Sequence, residues 1–168
     1  MDSADRRLLD QLLDSWHRNN TIHLGMLRAL APDDLDVRAT AGSPTIGEMF
    51  THIHYVRLVF VQEDAPESAV DVPAQEWQAE RDPSRIAAML GESARVVADA
   101  VKRKLEQQGE MDLHYDHPIL LLQHMLWHEG YHHGQMKLAL KLAGRQMSNQ
   151  VAGPLSWRVW MNKSEALH

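Results

Sequence analysis

The sequence contains no cysteine. That excludes disulfides, iron–sulfur clusters, thiolate zinc sites and a cysteine nucleophile together. Phenylalanine (2) and tyrosine (3) are scarce beside histidine. Basic charge is also short. The 17 Lys+Arg face 23 Asp+Glu, a net charge of −6, the reverse of a nucleic-acid binder's balance. Long apolar runs are missing. Ile119–Leu122 is far too short to span a bilayer, and the polar start Asp2-Ser3-Ala4-Asp5-Arg6-Arg7 is followed by no apolar export segment. These features predict a cytoplasmic protein with no nucleic-acid and no membrane partner. At 168 residues, with 44% hydrophobic and 24% charged residues, the chain fits one globular domain over 1–168.

What the sequence has in excess is histidine. There are 11, and five of them lie between His117 and His133. Their setting is helical. Leu9, Leu12, Trp16, His23/Leu24 and Leu27 recur at three- and four-residue steps, and Pro32 with Asp33-Asp34 ends that helix. Thr45-Ile46-Gly47-Glu48 is a capping box and opens a second helix, whose face runs Ile46, Met49, Ile53, Val56, Phe60 with His52 beside it. A proline-bearing connection, 64–82, is long for a bundle loop, and such loops are often functional. Asp82-Pro83 opens a third helix that ends by Gly109. His117-Pro118 opens a fourth that stops at Gly144, and a short aromatic helical piece, Leu155–Met161, follows. No segment alternates as a strand does, so the expected fold is an all-α four-helix bundle with long connections.

On the fourth helix the core line reads Leu121/Leu122, Met125, His128, His132, Met136, Ala139. Residues i and i+4 lie only about 40° apart around a helix, so both imidazoles point the same way. Two buried imidazoles without partners cost roughly 1–3 kcal/mol each, and a divalent cation accepting both lone pairs removes that cost. A third ligand would come from a facing helix. His52 is the first candidate and His54 its rival, while His124 with His128 forms an alternative pair. Three histidines leave coordination positions open, the catalytic pattern. His133 points away with Lys137 and is expected to be exposed or to support the site from behind. His17, His23, His114 and His117 carry no motif, and the tryptophans are read as packing residues.

His128-Glu129-Gly130-Tyr131-His132 also matches the H-E-x-x-H motif of zinc peptidases. The wider pattern fails. A metzincin carries a third histidine where this chain has Leu138, the only downstream glutamate is Glu165 in the tail, and an all-α chain offers no sheet edge to an extended peptide.

The segment from His124 to Gln135, with Thr45–His52, Trp16 and the loop ending at Ser43-Pro44, resembles the DinB/YfiT-like family of metalloenzymes over residues 8–143. That family usually has arginine where this chain has His133, whereas Gly134 and Gln135 fit. The resemblance implies a DinB-like four-helix bundle, typically a homodimer, with a divalent metal held by His52, His128 and His132. It also implies an activity of the kind characterised relatives have, thiol S-transfer or isomerisation with a low-molecular-weight thiol such as bacillithiol or mycothiol.

Three functions follow as expectations. The first is a metal-dependent transferase acting on a small molecule with an external thiol. The ion would be zinc or nickel, with iron or manganese also able to accept three imidazoles. The second is a metal-dependent hydrolase on the same site. The third is a metal-stabilised binding or dimerisation module. Glu129, about 100° round the helix from His128, is the candidate catalytic base or outer acceptor. Its alternative is a surface ion pair with His133 or Lys137. Tyr131 either orients substrate or packs between helices. A 64–82 connection and a Trp157/Trp160 tail that wall a pocket over the histidines would favour an enzyme.

Overall fold

The computed structural model describes residues 2–161. Among these residues there is no strand. Four long helices, α1 (Ser3–Ala29), α2 (Ile46–Asp64), α3 (Pro83–Glu106) and α4 (Pro118–Leu142), form the bundle. Two short ones, α5 (Asn149–Leu155) and α6 (Trp157–Met161), close the chain against α1. Single 3-10 turns, Pro32–Asp36 and Pro66–Ser68, interrupt the connections. The C-terminal piece is therefore longer than its aromatic residues predict. Ser148 caps α5 and the backbone breaks at Ser156, which divides the segment in two. Glu165 lies outside the described residues.

The helix starts are set locally. The Asp2 carboxylate accepts from the Ala4 and Asp5 N–H groups at 2.7 and 2.9 Å. Thr45 Oγ1 accepts from the Glu48 N–H at 3.1 Å, and Glu48 Oε2 accepts from the Thr45 N–H at 2.7 Å, which completes the capping box. Asp82 accepts from the Ser84 N–H, with Pro83 in the first turn. His117 accepts from the Ile119 N–H ahead of Pro118.

Two apolar clusters fill the interior. One gathers Trp16, Leu58, Val61, Val97, Val101, Leu121 and Met125, and the other Met26, Phe50, Ile53, Leu90, Met136 and Leu140. Each long helix passes from one cluster to the other through buried polar residues: Asn19, Asn20 and His23 on α1, Arg57 on α2, Ser93 on α3 and Glu129 on α4. A polar layer thus crosses the middle of the bundle.

The connection after α2 folds back along that helix. The Gln78 N–H donates to Thr51 Oγ1 at 3.0 Å, and Arg81 pairs with Asp36 at 2.8 Å. Gly47 permits the approach, because a Cβ there would sit 2.5 Å from the Glu80 carbonyl oxygen. The loop is held over the N-terminal half of α2, beside His52.

Candidate metal centre

α2 and α4 bring three imidazoles to one point. His52 Nε2 and His132 Nε2 each lie 3.1 Å from His128 Nε2, and all three atoms fall within 4.8 Å of one another. One outer nitrogen assigns a tautomer. His132 Nδ1 lies 2.8 Å from Gln135 Oε1, which can only accept, so this ring carries its proton on Nδ1 and turns an Nε2 lone pair inward. His52 Nδ1 lies 2.9 Å from Glu76 Oε1, at ion-pair distance without hydrogen-bond alignment. His128 Nδ1 is buried without a partner. A contact of 3.1 Å suits either an N–H···N hydrogen bond, with the His128 proton on Nε2, or a cation shared by the three nitrogens. Nitrogens about 2.0–2.1 Å from a common ion would stand roughly 2.9–3.4 Å apart for right-angled to tetrahedral coordination, so the spacing fits a divalent cation.

Electrostatics favour the neutral, ligand-ready form. Burial pushes His52 down to about 3, helped by His132 and His128. His128 falls to about 4, again chiefly through burial and then through His132. His132 is also lowered by burial, against the hydrogen bond to Gln135. The Trp77 indole stacks flat on His52, with centroids 3.9 Å apart and planes 3° from parallel. Tyr131 meets the edge of His132 at 5.3 Å.

The other candidates are placed elsewhere. His54 turns to α3, its Nδ1 2.8 Å from the Met89 carbonyl oxygen. His124 bonds the Tyr115 hydroxyl at 2.7 Å, beside His128 but outside the group. His133 is half-buried rather than exposed, because α1 and the C-terminal helices cover it. Burial, His23 and Lys137 lower its pKa to about 4. His114 pairs with Asp64 at 2.9 Å, and His117 caps α4.

Glu129 does not join the histidines. It is fully buried and turned into the bundle's polar layer. Its Oε1 accepts from Arg57 Nε at 2.6 Å. Its Oε2 accepts from Arg57 Nη2 at 2.7 Å and from Asn19 Nδ2 at 2.6 Å, and His23 Nε2 lies 3.2 Å away at ion-pair distance without hydrogen-bond alignment. Despite burial, the Arg57 charge and its hydrogen bonds hold this carboxyl down at about 2. It forms no surface pair with His133 or Lys137, because its direction on α4 meets Arg57 first.

Sequence reasoning passed over Glu76 and the role of Trp77, which sit on an aperiodic loop. Gln135 entered only as part of the family segment; its contact with His132, three residues away, is readable as that of a same-face neighbour. The Trp157/Trp160 segment does not reach the three histidines; it walls a cavity on the other flank of α4.

A helical bundle with three histidines converging from two facing helices defines a class, the bundle with a candidate divalent-metal centre in its interior. The chain belongs to the DinB family, whose model matches residues 2–152. No match is found among curated proteins or among solved structures.

Proposed function

We propose that the chain is a metal-dependent enzyme whose ion is held by His52, His128 and His132, and that it is a transferase acting on a small molecule with an external low-molecular-weight thiol. The observation that carries the reading is the convergence of the three Nε2 atoms, with Gln135 fixing the His132 ring. A divalent ion there, zinc or nickel first and iron or manganese next, would supply Lewis acidity and lower the pKa of a thiol or water that reaches it. The chain's own residues do the positioning. Gln135 orients His132, Trp77 covers one face of His52 and shields it from solvent, and Glu76 places a carboxylate 2.9 Å from the His52 ring. The loop bearing Glu76 and Trp77 brings polar and aromatic groups to the ligands, whereas the Trp157/Trp160 segment walls no pocket over them, which keeps the binding-module reading as the alternative. The chain has no cysteine, so a sulfur nucleophile must come from outside. Glu129 holds α4 in place and is not free to act as base.

The same reading makes the protein a cytoplasmic homodimer. No described helix is long and apolar enough to cross a membrane. Supporting the dimer, α4 presents an apolar stripe to solvent: Leu120, Trp127 (72% exposed), Tyr131 (57%), Leu138 and Leu142. Contiguous exposed apolar surface of this kind marks contact faces.

Elemental analysis of untagged protein, beside a His128→Ala/His132→Ala variant, tests the centre. Near-stoichiometric metal in the parent and none in the variant is expected. Loaded protein is then incubated with bacillithiol or mycothiol and a panel of electrophiles. Metal-dependent thiol consumption is the expected outcome. Metal-dependent hydrolysis without thiol use would make the protein a hydrolase, and metal-dependent stability without turnover would make it a binding module.

A further inference from the structure

The flank of α4 turned away from the three histidines carries a second concave site. His133 and Lys137 lie on this flank, with α1 on one side and α6 on the other. The cavity measures about 440 Å³, within the ordinary range for small-molecule sites. Ile22, Trp157 and Trp160 give it apolar walls.

Its polar groups are few and under-used. His23 is 1% exposed and its Nδ1 has no hydrogen-bond partner. The carboxylate beside its Nε2 is already held by Arg57. His133, whose ring centroid is 5.8 Å from that of His23, also has a buried Nδ1 without a partner. Buried polar atoms are normally paired, and exceptions call for an explanation. The Lys137 ammonium stands 5.8 Å over the Trp157 ring and has no carboxylate at ion-pair distance among the described residues. No acidic side chain lines the cavity, although the chain as a whole carries −6. An aromatic-walled pocket with an unneutralised ammonium at its edge suits an anion with a flat apolar body.

We propose that this cavity binds a small aromatic carboxylate, with its charge at Lys137 beside His133 and its ring between Ile22 and the two tryptophans. The site is separate from the three-histidine group and does not depend on it. Calorimetric titration of the full chain with 2-naphthoate, and with neutral 2-naphthamide, tests the assignment.

Saturable naphthoate binding is expected in the parent and, unchanged, in a His52→Ala variant. Naphthamide is expected to bind at least ten-fold more weakly. Lys137→Met should weaken naphthoate binding about ten-fold, Lys137→Arg should restore it, and Trp160→Ala should weaken it with the circular-dichroism spectrum intact. Equal binding of acid and amide, indifference to Lys137→Met, or absence of saturation by millimolar naphthoate would overturn the proposal. Loss of binding in His52→Ala would overturn it too, by moving the ligand to the histidine group.

Discussion

Replacing Glu129 by glutamine separates the catalytic role expected from the sequence from the buried pairing with Arg57 that the structure shows. As a catalytic base it would be lost to activity with little change in stability. The structure predicts the opposite weighting. Arg57 and Glu129 are both fully buried, and the carboxylate is met by donors on both oxygens, from Arg57 on each and from Asn19 on Oε2. Glutamine keeps the shape but puts an N–H₂ group against one set of those donors and leaves the guanidinium charge uncompensated. Breaking a buried pair from one side costs about 3–5 kcal/mol. Unfolding entropy near 2.1 cal/mol/K per residue gives about 0.35 kcal/mol/K for a chain of this length, so the melting temperature should fall by about 9–14 °C. Arg57 keeps partners in Asn20, the Leu90 carbonyl and Ser93, yet none of these is charged. Differential scanning calorimetry of metal-free parent and variant reads the shift directly. The paired variant Arg57→Leu/Glu129→Leu, which removes both charges, should recover much of it. A fall of less than about 3 °C, or a double variant worse than the single, would refute the reasoning.

Gln135→Ala should leave the fold intact and weaken metal affinity about 10–100-fold, measured by competition with a chelator, because the acceptor that holds His132 Nδ1–H is removed. Gly47→Ala drives a Cβ against the Glu80 carbonyl. It should destabilise by about 1–3 kcal/mol in urea unfolding, and it should also weaken metal binding, since the displaced loop carries Glu76 and Trp77. In metal-free protein, His52 and His128 are held down at about 3 and about 4, so the unfolded chain binds more protons below its ordinary histidine value of about 6.5. Their contribution is full above that pH and is lost as pH falls toward 4. The urea midpoint should drop across this window, and less steeply in His128→Gln. Trp127→Glu/Leu138→Glu, on the exposed stripe of α4, should sediment as a monomer while the parent sediments at twice the chain mass.

What could be read without coordinates is what helix geometry fixes locally. The capping box at Thr45–Glu48 needs only four residues, and it is present as written. The shared direction of His128 and His132 follows from their spacing alone, and their Nε2 atoms meet at 3.1 Å. Choosing His52 over His54 is a different matter. Both sit on α2, and only the packing shows that His54 meets the Met89 carbonyl while His52 meets α4. Glu129 marks the same limit. Its angle from His128 is legible, but the Arg57 that waits in that direction comes from a helix more than seventy residues earlier. Glu76 and Trp77 were beyond reach, because a loop path has no period from which a side chain's direction can be taken.

The arrangement turns on α4, whose apolar residues are spread round the helix with polar ones set among them on each inner face. Inside one protomer it is surrounded on three sides only. Leu121, Met125, Glu129 and Met136 face the core, His128 and His132 face α2 and its loop, and His133 with Lys137 faces α1 and α6. The central position goes to Glu129, whose bonds to Arg57 fix the rotation of the helix about its axis. That constraint is what lets the neighbouring histidines hold a set direction on the side where the loop bearing Glu76 and Trp77 reaches them. The fourth side, from Leu120 to Leu142, meets nothing within the chain. A helix whose rotation is fixed from inside cannot turn that face away from water, and this is what supports the proposed homodimer.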